Sequence, residues 1–140
     1  MKTSVAVAPT EAVDVKVVDG VVVLTVHGRL DHEVGDVLFA ASWQALRQSG
    51  SRRILLDLQA ANLVEDTAEV LGRVNAADAQ PELAQARVAL LCRSITNNHI
   101  FLESAARRHG HDMKVLTDGE TAWRWLLEPT ETPDAEALGR

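Results

Sequence analysis

One cysteine in 140 residues removes two explanations at once. Cys92 has no partner for an internal disulfide, and a chain this long can build a core without staples or a structural metal. A lone thiol in the apolar stretch Val88-Ala-Leu-Leu-Cys92 suits a reducing compartment, so the cytoplasm is the expected location. No apolar run approaches the roughly 18 residues of a membrane span, and the N-terminus has one lysine and no sustained apolar core. Neither a span nor a secretory signal is expected. Positive charge is also scarce: 14 Lys and Arg face 20 Asp and Glu, for a net charge of -6. That balance opposes phosphate binding, so nucleic acid is not an expected partner despite the local Arg107-Arg108-His109.

The motifs of catalysis are missing as well. Neither Gly-x-Gly-x-x-Gly nor Gly-x-x-x-x-Gly-Lys occurs, so no glycine loop is available to cradle phosphates. Ser42, Ser49, Ser94 and Ser104 all lack a Gly-x-Ser-x-Gly setting. Cys92 with His99 has no evident third group to orient the pair, and a cysteine at the end of an apolar strand reads as a small hydrophobe. His99, His109 and His111 lie close in sequence, but no Cys or His cluster elsewhere completes a metal set. His109 reads instead as a helix-end residue whose partial positive charge suits the dipole. The sequence therefore reads as non-enzymatic, with no catalytic residue, metal ligand or cofactor expected.

What is present is a regular alternation of elements. Val13 to Val18 and Val21 to Val26 are β-branched runs joined by Asp19-Gly20, a strong hairpin signal. Asp31 can cap a helix whose positions Val34, Val37, Leu38, Ala41, Ala45 and Leu46 recur at helical spacing up to Gly50. Ile54 to Leu58 reads as the third strand. Asp66-Thr-Ala-Glu69 has capping-box spacing at the start of a second helix, from about Asp66 to Ala77, with Val70, Leu71 and Val74 inward and Pro81 beyond it. Arg87 to Cys92 is the fourth strand, followed by a helix burying Ile100, Phe101 and Ala105, with Leu102 and Ala106 as further candidates, and ending at Gly110. Met113 to Leu116 is the fifth strand, and Asp118 can cap a last helix carrying Ala122, Trp123, Leu126 and Leu127. Trp125 is out of phase with Trp123, so one of the two is expected to be partly exposed.

The order ββαβαβαβα predicts an α/β domain with a mixed, mostly parallel sheet over residues 13 to 127, between a mobile lead-in at 1 to 12 and a flexible tail at 128 to 140. The third and fourth strands are apolar almost throughout, which predicts cover on both faces. A homodimer is the expected means of covering a face the helices leave open.

Gly28-Arg-Leu-Asp31, Leu56-Asp-Leu58 and the Glu65-Asp-Thr-Ala68 turn, in that element order, resemble the STAS domain of bacterial anti-sigma-factor antagonists and sulfate-transporter tails. The resemblance covers about residues 13 to 127 and implies helices packed mainly on one face of the sheet. In that family the turn after the third strand reads Asp-Ser-Ser-Gly or Asp-Ser-Thr-Gly, and its third residue is phosphorylated by a partner kinase. Thr67 falls at that position, with Glu65 in place of the Asp, Asp66 in place of the first Ser and Ala68 in place of the Gly. The resemblance thus implies a bacterial regulatory domain that docks a protein partner, an anti-sigma factor or its kinase, through Glu65, Asp66, Thr67, Glu69 and Arg73. The segment from Asp112 to Leu127 also resembles a sister group of small bacterial proteins related in shape to CRAL-TRIO lipid-binding domains. That likeness implies the alternative of a small-molecule or lipid-binding module with a pocket between helices and sheet.

Overall fold

A computed structural model of the chain describes residues 12–64 and 66–129. Strand β1 (Val13–Val18) turns back into β2 (Val21–Leu30) through Asp19 and Gly20, both at positive φ, 52° and 79°. That is the backbone of a two-residue turn whose twist matches the paired strands. Helix α1 (His32–Ser49) is capped by the Asp31 side chain on the Val34 amide and closed by Gly50 at φ 73°. β3 (Arg53–Leu63) leads to α2 (Thr67–Asp78), which is followed by a short helix, α3 (Pro81–Ala84). β4 (Arg87–Leu91), α4 (Asn97–Arg108), β5 (Asp112–Leu116) and α5 (Gly119–Leu127) complete the order. The expected element order holds with α3 added: Pro81 not only lies beyond α2 but starts a helix turn of its own, because proline's missing N–H is harmless at the first helical position.

The five strands lie in sequence order, β1 antiparallel to β2 and every later pair parallel. Parallel neighbours stepping in one direction with right-handed connections put every crossover helix on the same side. Accordingly α1 to α4 cover one face, where Val22, Leu24, Val26, Ile54, Val88 and Leu90 are buried with Leu38, Ala41, Ala45 and Leu46 of α1. α5 follows the last strand, makes no crossover and lies on the other face. There Ala122 and Leu126, with Trp123 and Trp125, pack on Val21, Val23, Leu55, Ala89, Leu91 and Leu116. Both tryptophans are partly buried.

Two strands are longer than the sequence suggests. Past an irregularity between Thr25 and His27, β2 pairs with β3 as far as Leu30 and Leu63, whereas β3 pairs with β4 only up to Asp57 and Leu91. The outer halves of β2 and β3 thus form a two-stranded ribbon reaching past the end of β4. Residues 59 to 62 are polar or small and carry no strand pattern of their own; pairing with β2 holds them extended. Three expected core residues also differ, among them Leu127, 45% exposed one position past the buried Leu126. Leu71 is 40% and Ile100 50% exposed, because the buried stripes run through Val70 and Val74 in α2 and through His99, Ala105 and Ala106 in α4. The expected lead-in and tail lie outside the described residues, apart from Ala12, Glu128 and Pro129.

Candidate docking site

Every helix that directly follows a strand begins at the carboxyl edge of the parallel sheet, where its first N–H groups need acceptors. Asp31 accepts from Val34 in α1, Asp66 from Glu69 in α2, Thr96 from His99 in α4 and Asp118 from Thr121 in α5. The edge thus offers four helix N-termini whose partial positive charge favours anionic or polar partners.

The α2 start stands beside the end of the β2–β3 ribbon. Its capping box is complete: the Glu69 amide donates to Asp66 Oδ1 at 2.9 Å, and the Asp66 amide donates to Glu69 Oε1 at 2.9 Å. Thr67 is the first helical residue. Glu65 lies outside the described residues. Of the five candidate docking residues, Asp66 is exposed and Glu69 partly so.

Arg73 does something the sequence does not announce. Its guanidinium turns toward α1, with Nη1 donating to Asp36 at 2.7 Å and Nη2 to the His32 carbonyl at 2.8 Å, and its side chain is only 20% exposed. This hydrogen bond, helped by the charges of Arg73 and His32, lowers the Asp36 carboxyl below its ordinary range, with desolvation opposing. His32 lies 3.5 Å from Glu69 and 3.6 Å from Asp36. Arg73 is therefore a clasp between α1 and α2, and Asp66 and Glu69 remain as surface.

A second clasp holds the far end of α2. Asp78, its last residue, meets His109 Nδ1 at 2.6 Å and the buried His111 Nε2 at 2.7 Å, with the two imidazole planes stacked. The hydrogen bond to His109, then that to His111, lowers the Asp78 carboxyl, against some desolvation. The His-x-His spacing is visible in the sequence; its partner is not, because Asp78 lies 31 and 33 residues away.

Cys92 is buried, and burial with a smaller contribution from Asp57 pushes its thiol up to about 11, far from a reactive thiolate. Among the described residues no three or more His, Cys, Asp or Glu are grouped to hold a metal ion, and no helix is long and apolar enough to cross a membrane.

No family model matches the chain, and no curated protein matches it in sequence. Solved structures do match. The unphosphorylated anti-sigma factor antagonist SpoIIAA aligns over 81% of this chain and 97% of its own, with 24% identity and a TM-score of 0.53. The phosphorylated form of SpoIIAA, the Bacillus cell fate determinant, aligns over 81% and 99%, at 24% identity and a TM-score of 0.51. The NMR structure of the protein TM1081 aligns over 90% and 97%, with 14% identity and a TM-score of 0.56. The mixed five-stranded sheet, its crossover helices on one face and the near-complete coverage of these structures give the chain the STAS fold of SpoIIAA.

Proposed function

We propose that the chain is a non-enzymatic, cytoplasmic regulator of the anti-sigma-factor-antagonist type, which docks a protein partner through the turn and helix after β3. The observation that carries this reading is the alignment of 81% of this chain with nearly the whole of an antagonist solved in phosphorylated and unphosphorylated forms. In this chain Thr67 stands at the first position of α2, and the ribbon formed by β2 and β3 holds that helix start beyond the end of β4. Leu71 of α2, Ile95 of the neighbouring β4–α4 turn and Ile100 of α4 are exposed apolar side chains near the same edge, suited to anchor a partner inside a polar rim. The docking residues are Glu65, Asp66, Thr67 and Glu69, with Arg73 fixing the tilt of α2.

Thr67 is the proposed phosphorylation site, for a kinase that is itself a partner. A phosphate there would add about -1.5 to -2 charge beside Glu65, Asp66 and Glu69. The cap already uses the Glu69 amide, so a second anion meets repulsion only partly offset by the helix N-terminus. Phosphorylation would thus change docking more than folding. Intact-mass measurement after incubation with host lysate and ATP should show one phosphate on the wild type and none on Thr67→Ala. An adduct unchanged in Thr67→Ala, or none on the wild type, rules the switch out. Affinity capture from the same host should lose an anti-sigma factor or kinase with Leu71→Asp, an exposed position. The same proteins captured by both forms would refute docking through α2.

A further inference from the structure

Beneath α2 the core is not filled. A cavity of about 140 Å³, partly open to solvent, lies between the sheet and helices α1 to α4. Protein interiors hold few voids larger than a water, whose share of liquid volume is about 30 Å³, so this space exceeds ordinary packing error several-fold. Its cause is legible in the side chains. α2 packs against α3 and α4 and meets no strand closely, and what it points toward the sheet is short: Val70, Val74 and Ala77. An independent sign is Leu56. It lies on the middle strand, on the face under the helices, and it remains partly accessible although its neighbours Ile54 and Leu58 on that face are buried.

The chemistry of the walls selects the occupant. Apart from Ser42, Arg73 and His111 the lining is apolar. Each of those three is engaged elsewhere: Ser42 Oγ donates to the Leu38 carbonyl at 2.6 Å, Arg73 bonds Asp36 and the His32 carbonyl, and His111 bonds Asp78. A water against these walls finds few of the two to four polar partners it needs, and apolar cavities of about this volume take up benzene-sized molecules. A charged or strongly hydrogen-bonding ligand would lose its hydration without compensation.

We propose that this cavity is a binding site for a small uncharged apolar molecule, of the size of benzene or a short alkyl group, with α2 as its movable wall. The two clasps, Arg73 to Asp36 and Asp78 to His109 and His111, hold that wall by polar contacts at its rim and leave the packing between α2 and the sheet to the ligand. The site shares α2 with the docking surface but does not rest on the docking reading.

The test uses the full chain with labelled Val, Leu and Ile methyl groups, titrated with benzene and followed by NMR and thermal melting. Saturable shifts confined to the methyls of Val70, Val74, Leu56 and their lining neighbours, with a rise in melting temperature, are expected. Val74→Phe should fill the space and weaken benzene binding about tenfold or more. If circular dichroism shows that variant unfolded, Val74→Leu fills part of the space and should weaken binding in the same direction. Shifts that do not saturate, that scatter over the surface, or that are unchanged in a folded filling variant overturn the site. Benzene binding requires no partner, so its failure leaves the docking reading intact and its success does not support it.

Discussion

At the scale of single residues, two caps carry more than their size suggests. Asp66 closes the capping box that starts α2, next to Thr67, the proposed phosphorylation site. Asp66→Ala should lower stability by roughly 0.5 to 2 kcal/mol in urea unfolding. An unchanged midpoint would mean that α2 does not rely on this cap, and the placement of Thr67 at a helix start would lose its support. His99 plays the Glu role in a second box: its Nδ1 accepts the Thr96 amide at 3.0 Å while its own amide donates to Thr96 Oγ1. Nδ1 accepts only when it carries no proton, and burial holds the imidazole pKa below its usual value. A histidine with a lowered folded pKa binds protons more readily when unfolded. Its contribution is therefore complete above the unfolded value near 6.5 and lost as pH falls below it toward the folded value. The urea midpoint should drop between about pH 7.5 and about pH 5.5. His99→Gln keeps a side-chain acceptor at this position and should flatten the drop; an equal drop in both proteins would clear His99 of the effect.

At the scale of elements, α5 is held from below by two arginines that begin neighbouring strands. Arg53 Nε donates to the Leu126 carbonyl at 2.6 Å, and Arg87 Nη1 to the Trp125 carbonyl at 2.8 Å, placing positive charge on the helix's C-terminal carbonyls. Arg87 also bonds Asp112 at 2.9 Å and stacks on Trp125, 4.7 Å from its ring centre. Arg87→Ala should cost roughly 1.5 to 3 kcal/mol, the range for hydrogen bonds to a charged group, and should shift tryptophan emission to the red. A blue-shifted or unmoved emission would mean that Trp125 is ordered by α5 alone. None of this was readable in advance, because Arg53 and Arg87 look like strand-flanking charges until α5 is placed 38 to 73 residues later. What was readable rested on short-range rules: Asp19-Gly20, the Asp31, Asp66 and Asp118 caps, and the apolar runs of β3 and β4. The helix face carrying Leu71, the outer half of β3, the Asp78 clasp and the cavity all depend on which elements become neighbours. Local periodicity does not encode that choice.

At the scale of the whole molecule, the question is what covers the second face of the sheet. The expectation of a homodimer rested on apolar strands with helices on one side only. The structure supplies the cover within one chain: α5 lies on the apolar half of that face, over Val21, Val23, Leu55, Ala89, Leu91 and Leu116. The strand register places Asp14, Lys16, Thr25 and Asp57 on the remainder of the same face, beyond α5 and toward the β1 edge. Side chains of this kind are content in water, so closing a dimer here would remove polar surface and gain little of the roughly 25 cal/mol per Å² that apolar burial provides. Light scattering at micromolar concentration should therefore give a mass near 15.2 kDa. Twice that mass would point away from this face and toward the exposed Leu71, Ile95 and Ile100. Leu71→Asp tests that location: a dimer it dissolves lies on the docking edge, and a dimer it leaves intact lies elsewhere, where Val17 of β1 and Leu127 of α5 are the other large exposed apolar side chains among the described residues.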